Sequence, residues 1–476
     1  MRKSQVNLVY LVFALLFALL YFSKNSGRFF WLDEITTLNI ARSPTFLDVI
    51  FQAKNETIQP PLFYLMGRIW AKVSLKPEWL RSLPLICYLG ILFILIKNIK
   101  YSLLAYLALI FYFFSAAEMF TTYLMTEFRP YSLSLLLFTL IFHLFLNFKE
   151  TDRYFYIKTS TALVLFSCTL SLNIPLGLGL IVLLIVFFYF KSYKLSTSSS
   201  IISIFSLTFS FLAVAFLLFY IKSNSNLLGN FELSPYLEAL EKNSTLVLSE
   251  IITLPGAFIF LLLISLAFNK NTLNGRNLFF GSILFLIFIF SIVFPTFILH
   301  NRIPWYSARY SHIAYLVIPF YVILLSKQLN PIFKYSRRPH QILGLLLFLL
   351  GGMILQILAK PSLTSINGIN SLWAEIENAK YCEKSNSMII TNPDYIDRVG
   401  SYHLELSKFP KQAIVGVSDI DKIVGTKKCI VLINSNHAEF DDIQTFIIKH
   451  GYILKHSFHP HQDSPQNIDN YKIFIL

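Results

Sequence analysis

Apolar runs constrain this chain more than any motif in it. Twelve of them fall near residues 6–22, 60–75, 82–96, 102–118, 131–147, 157–172, 174–190, 200–221, 251–268, 278–298, 312–326 and 341–358. A helix that crosses a bilayer needs roughly 20 apolar residues. Within hydrocarbon, only helices and closed barrels satisfy every backbone polar group. Runs of this length and number predict a polytopic α-helical membrane protein. Composition agrees: of 476 residues, 55% are hydrophobic and 14% charged, with 47 Phe and 25 Tyr. Mean hydropathy is +0.59, outside the range of ordinary soluble domains.

The net charge of +14 does not imply a nucleic-acid partner. Many of the basic residues stand in short connections between apolar runs, where they set orientation. These connections are Arg2-Lys3, Lys97 to Lys100, Lys149 to Lys158, Lys191 to Lys194, Lys270 to Arg276 and Lys327 to Arg338. All of them fall on one side if the run at 60–75 does not cross. That run opens with Pro60-Pro61 and carries Arg68 and Lys72, so it reads as a juxtamembrane or re-entrant helix. About 11 spans then remain, with the N-terminus cytoplasmic and the C-terminus outside. Arg2 and Lys3 before the first run resemble a signal peptide. No small-residue cleavage site follows, so that run is expected to stay as the first span.

Residues 359–476 differ in character from the membrane part, 1–358. Ser387-Met388-Ile389-Ile390 and Cys429-Ile430-Val431-Leu432-Ile433 read as buried strands, and Trp373 to Ala379 and Asp441 to His450 as helices. This alternation suggests a small α/β domain, extracytoplasmic on the topology above. His456, His459 and His461 fall in a stretch that reads as a solvated loop, with no matching metal-ligand set. Cys87 and Cys168 lie in apolar runs as packing residues. Cys382 and Cys429 are either a disulfide, if that region faces an oxidising space, or two free thiols.

Four polar constellations fall on the outer face. Asp33-Glu34 follows the first span; it is a helix-terminus cap or a general base for an acceptor hydroxyl or amine. Gln59-Pro60-Pro61-Leu62-Phe63-Tyr64, with Arg81 beyond, makes a chain reversal, since prolines start helices but cannot continue them. Glu127-Phe128-Arg129-Pro130-Tyr131 enters a span; Glu127 and Arg129 either pair simply at the surface or line the cavity of Asp33. His300-Asn301-Arg302-Ile303-Pro304-Trp305 and Arg309-Tyr310 set two guanidinium groups among aromatic rings, and such planar forks suit phosphate oxygens. His143, alone in an apolar run, reads as a satisfied core or interface residue.

In this order on this hydropathy profile, the clusters resemble the GT-C class of integral-membrane glycosyltransferases. The likeness is to the branch with protein O-mannosyltransferases and aminoarabinose lipid A transferases, and it covers roughly residues 5–358. It rests on Asp33-Glu34, Pro60-Pro61-Leu62-Phe63-Tyr64 followed by Arg81-Ser82-Leu83-Pro84, Arg129-Pro130-Tyr131, and Arg309-Tyr310. The resemblance implies inverting transfer from a polyprenyl-phosphate sugar to a lipid, polysaccharide or protein acceptor on the periplasmic face of the inner membrane. It implies Asp33 as the catalytic acidic residue, with Glu34 as its usual neighbour. Arg302, Arg309, Arg81 and Gln59 would meet the donor phosphate. Glu127, Arg129, Tyr131, Tyr310 and Tyr64 would line the cavity. Many members have His or Lys before the two prolines; Gln59 stands there instead and brings no charge. Some members of the wider class hold a divalent cation on acidic residues, a role open to Glu127 with Asp33. The alternative function is a non-catalytic lipid-linked-sugar binding protein or transporter on the same scaffold. A transporter predicts charges deep within spans, whereas these gather at one face.

Overall fold

The computed structural model describes residues 32–57, 59–99, 125–148, 154–191, 197–222, 275–299, 308–325, 387–391, 414–416, 429–433, 438–458 and 471–475, with scattered residues elsewhere. It divides into two compact units. One is Met1–Ser23 with Ile40–Ile357; the other is Lys24–Asn39 with Leu358–Leu476.

In the first unit, proline sets several of the helix starts. Helix α1, Leu32–Ala41, straddles the division between the units. After it come α2, Phe46–Gln52, one π turn at Ala53–Thr57, and α3, Leu62–Ala71. Thr45 caps α2 through a reciprocal capping box with Asp48. Pro61 precedes α3, the segment expected not to cross. Its 10 residues make about 15 Å of helix, half the hydrocarbon thickness. Helix α4, Pro77–Asn98, starts five residues before its apolar run because Pro77 is suited to the first helical position. Helix α5, Tyr131–Leu146, follows Pro130.

The runs at 157–172 and 174–190 form α6, Phe155–Ser167, and α7, Asn173–Lys191. Pro175 sits in the first turn of α7, where the N–H it lacks would have no partner within the helix. Helix α8 is Thr197–Lys222 and α9 is Gly275–Leu299. A 3-10 segment, Ala308–Leu316, breaks at Ser311 and leads into α10, Val317–Leu325. Helix α5 packs against α4, α6 and the 3-10 segment, and α8 against α6 and α7. The runs at 102–118, 251–268 and 341–358 lie outside the described residues, apart from Leu109 and Tyr112.

Two described helices, Pro77–Asn98 and the Ser200–Leu217 part of α8, are long and apolar enough to cross a membrane. Helix α8 leaves Phe205, Phe209 and Phe216 largely exposed, and α9 does the same with Phe285 and Leu286. Monomeric soluble proteins rarely expose such contiguous apolar faces. Several buried hydroxyls satisfy themselves within their own helices. Thr139 donates to Leu135 O, Thr159 to Phe155 O, Ser167 to Leu163 O, Ser291 to Ile287 O and Thr296 to Ile292 O. Between α6 and α8, Ser160 and Ser206 hydroxyls meet at 2.6 Å.

In the second unit, a five-stranded sheet has the order β2-β1-β3-β5-β4. The strands are β1 Ser387–Thr391, β2 Ile414–Gly416, β3 Cys429–Ile433, β4 Ile453–Phe458 and β5 Tyr471–Ile475. Strand β1 pairs in parallel with β2 and β3, while β5 pairs antiparallel with β3 and β4. Helix α11, Ala438–Lys449, links β3 to β4 and buries Ile443 and Ile447 against Ile430, Leu432 and Tyr452. Gly451, at φ 90°, ends that helix in the left-handed conformation that glycine adopts without strain. His456 was expected in a loop; it lies instead on β4, opposite Ile473, because pairing with β5 resumes after a register shift at Leu454 and runs on to Phe458. His459, His461 and the helix expected at Trp373 to Ala379 lie outside the described residues.

The start of α7 packs closely against the end of α6. A Cβ at Gly177 would stand 2.0 Å from Ser167 Oγ, whereas one at Gly179 meets nothing within 4 Å. Gly177→Leu should therefore lower stability by about 1–3 kcal/mol through overpacking. Gly179→Leu should be neutral or stabilising, since leucine is the better helix former. Thermal unfolding in detergent compares the two; equal melting points would contradict this packing.

Candidate active site

The carboxylate pair sits in the first turn of α1. Glu34 is fully buried, while Asp33 remains partly open. The helix N-terminus carries partial positive charge, which favours carboxylates there. Thr37 Oγ1 donates to the Asp33 carbonyl at 2.8 Å, holding the turn. The two carboxylates are thus a helix-terminus pair, one member of which stays partly exposed. These residues belong to the second unit; every other described candidate belongs to the first.

In the first unit, a polar chain starts at the loop before α5. Arg129 lies 3.9 Å from Glu127 Oε2, and its N–H donates to the Glu127 carbonyl at 2.8 Å. The Glu127 side chain is only 1% exposed, so this is not the simple surface pair weighed from sequence. The Arg129 guanidinium stacks over the Tyr131 ring, with its carbon 4.9 Å from the centroid. Tyr131 in turn meets His312 edge-on at 5.4 Å. His312 Nε2 is 2.9 Å from Ser134 Oγ, and Asn173 Nδ2 donates to that same hydroxyl at 2.8 Å. Asn173 Nδ2 also reaches Thr169 Oγ1 at 2.8 Å and the Phe166 carbonyl at 3.2 Å. Glu127, Ser134, Asn173 and His312 are all buried. A small pocket beside the chain is lined by Asn173, Ser291 and His312 among Leu172, Phe290 and Phe294.

Sequence reasoning named Glu127, Arg129 and Tyr131 but missed Ser134, Asn173 and His312. The signal was slight: a lone Asn between two apolar runs, and a His three residues after Arg309. Their connections join residues 39 and 178 positions apart.

Gln59 has a structural partner. Its Oε1 accepts from the Ser171 N–H at 2.8 Å and from Ser171 Oγ at 3.1 Å. Beside it, the Leu62 N–H donates to the Cys168 carbonyl at 3.1 Å. The chain reversal at Pro60-Pro61 is thereby fastened to the α6–α7 turn, and the Gln59 carbonyl oxygen is occupied. Tyr64 is buried in a small cluster with Ile40, Val49 and Ala53, and its hydroxyl meets Thr57 Oγ1 at 3.1 Å. Arg81 is fully buried on α4. Arginine is almost never fully buried unless paired. Arg309 and Tyr310 lie on the 3-10 segment, their side chains outside the described residues, and Arg302 lies wholly outside them.

His143, at the far end of α5, is satisfied as expected. Its Nδ1 is 2.9 Å from Asn98 Oδ1 and 3.0 Å from Asn147 Nδ2. Nine residues separate it from Ser134, about 14 Å of helix. Helix α5 thus carries a polar cluster at each end and apolar packing between. Among the described residues, no group of three or more His, Cys, Asp or Glu side chains is placed to hold a metal ion. In the second unit Cys429 is disulfide-bonded, whereas Cys87 and Cys168 are free. Cys382 lies outside the described residues.

No family model matches the chain, and no curated protein does. Among solved structures, it is similar to the crystal structure of an oligosaccharyltransferase from Archaeoglobus fulgidus, tethered by a disulfide to an acceptor peptide containing the NVT sequon. That similarity covers 91% of this chain and 70% of the other, at 12% identity and a TM-score of 0.40. A likeness this loose carries neither the fold nor the activity.

Proposed function

We propose that the chain is an inverting membrane glycosyltransferase that draws on a polyprenyl-phosphate sugar. The observation that carries this reading is the Asp33-Glu34 pair: one carboxylate buried, its neighbour accessible, on a chain whose helices expose lipid-type apolar faces. Desolvated carboxylates in a membrane protein are costly and are functional-site candidates by default.

The roles follow from the chemistry of transfer. An acceptor hydroxyl or amine attacks the sugar C1 and forms the new bond there. The bond from C1 to the phosphate oxygen breaks, and its electron pair leaves with the polyprenyl phosphate. Asp33 takes the acceptor proton, and Glu34 holds the helix turn that presents it. The phosphate gains a negative charge as it leaves, so cations that meet it stabilise the transition state. Arg302, Arg309 and Arg81 are assigned to that charge. Gln59 contributes at most its amide N–H groups, because its carbonyl oxygen is bound to Ser171. Glu127, Arg129, Tyr131, Tyr310 and Tyr64 are assigned to substrate binding; for Tyr64 the hydroxyl pairing with Thr57 favours a supporting part. The acceptor is a lipid, polysaccharide or protein.

We place the site on the periplasmic face of the inner membrane, with the N-terminus cytoplasmic and residues 359–476 outside. The Cys429 disulfide supports this, since disulfides persist in oxidising compartments and are rare in the cytosol. The short α3 supports the parity that leaves the C-terminus outside.

Two measurements test the reading. Asp33→Asn should lower transfer at least about a hundredfold, the range for loss of a general base, while the protein stays inserted and folded; unchanged turnover would contradict it. In cells lysed without reductant, Cys429 should react with a maleimide only after denaturation and reduction. Labelling of denatured, unreduced protein at Cys429 would contradict the oxidising compartment.

A further inference from the structure

Helices α2 and α3 present an apolar surface edged with cations. Phe46, Leu47 and Phe51 on α2, Ile69 on α3 and Val73 just beyond it are each at least half exposed. Leu47 and Phe51 stand four residues apart, as do Ile69 and Val73, so each helix carries one outward stripe. The opposite faces are filled: Val49, Ala53 and Tyr64 pack with Ile40. The outward stripes are thus a second apolar face, not a misplaced core.

The charges on this surface are arranged around one ring. The Arg68 guanidinium lies 5.1 Å from the Phe46 ring centroid, and the Lys72 ammonium lies 6.0 Å from it. Arg68 Nη2 donates to the Pro44 carbonyl, while its Nε is buried with no hydrogen-bond partner among the described residues. Across residues 42–78 there are five cations (Arg42, Lys54, Arg68, Lys72, Lys76) against three acids (Asp48, Glu56, Glu78). Asp48 is already engaged in the α2 capping box.

A rigid link joins this surface to α4. Trp70 Nε1 donates to the Trp79 carbonyl and Trp79 Nε1 to the Trp70 carbonyl, each at 2.9 Å. The two rings stack with centroids 4.9 Å apart and planes 10° from parallel. The apolar stripes are therefore held against the end of a helix long enough to cross a membrane. Tryptophan is enriched at the level of lipid headgroups.

Short helices with an apolar face, basic edges and a tryptophan anchor suit the plane of the headgroup layer, neither water nor the hydrocarbon core. We propose that α2 and α3 form a lipid-docking surface for anionic phospholipid, with Arg68 and Lys72 sharing one headgroup phosphate and the stripes entering the acyl boundary. This rests on the membrane part of the functional reading and not on the sugar chemistry. Charge complementarity selects the occupant: cations that flank an apolar face match a phosphate above acyl chains.

The test uses the full chain in nanodiscs with equal phosphatidylglycerol and phosphatidylcholine. A photo-crosslinking residue replaces Phe51, Val73 or, as a control on α8, Phe209. Adducts are identified by mass spectrometry. Both test positions should capture lipid, with phosphatidylglycerol favoured by about fivefold for each cation at the surface. Lys72→Gln should remove about one such factor, and Arg68→Gln with Lys72→Gln should bring the ratio to parity. Lipid captured at Phe209 but not at Phe51 or Val73 would overturn the docking surface. Capture without phosphatidylglycerol preference would overturn the phosphate site. No capture at Phe209 would overturn the membrane reading, and the docking surface with it.

Discussion

Helices whose outer faces are large apolar side chains need an apolar solvent, and that requirement governs the rest of the structure. In such a solvent each buried polar group must find its partner inside the protein. Most hydroxyls on the helices do so locally, by returning to the carbonyl one turn back. The Ser134 hydroxyl does so across three separate segments of chain, meeting both His312 and Asn173. The polar residues that pair across segments gather near the ends of α5.

The two ends of α5 show the outcome. At its start, Glu127, Arg129, Tyr131, Ser134, Asn173 and His312 form one linked series. Nearby in the same unit, Gln59 fastens the Pro60-Pro61 reversal to the α6–α7 turn. At its finish, Asn98, His143 and Asn147 close on one another. The first end carries paired charge and a pocket; the second is a small satisfied cluster beside the basic connections assigned to the cytoplasm. This asymmetry is compatible with the proposed enzyme working from one face.

What was legible in the sequence was local. Prolines 61, 77, 130 and 175 stand at or just inside helix starts, and Glu127-Arg129 pair because they are two residues apart. The strands read at 387–390 and 429–433 and the helix read at 441–450 follow from short-range pattern, within a few residues of the observed bounds. The Asn173 and His312 contacts were not legible, since a single polar residue in an apolar run looks the same whether it pairs across the bundle or faces a loop. The role of Gln59 was hidden for the same reason: its partner, Ser171, is 112 residues away. Position relative to the prolines suggested a phosphate ligand; the hydrogen bonds of Oε1 add a clamp and leave that proposed part to the amide N–H groups.

Donor binding tests the central claim most directly. Purified protein and its Asp33→Asn variant would be heated with each of a panel of polyprenyl-phosphate sugars, and slow hydrolysis of each donor recorded alongside. The account predicts that one donor raises the melting temperature of both proteins and is hydrolysed only by the wild type. If none of the panel stabilises a folded, monodisperse protein, or if the variant hydrolyses the donor as fast as the wild type, the account is contradicted.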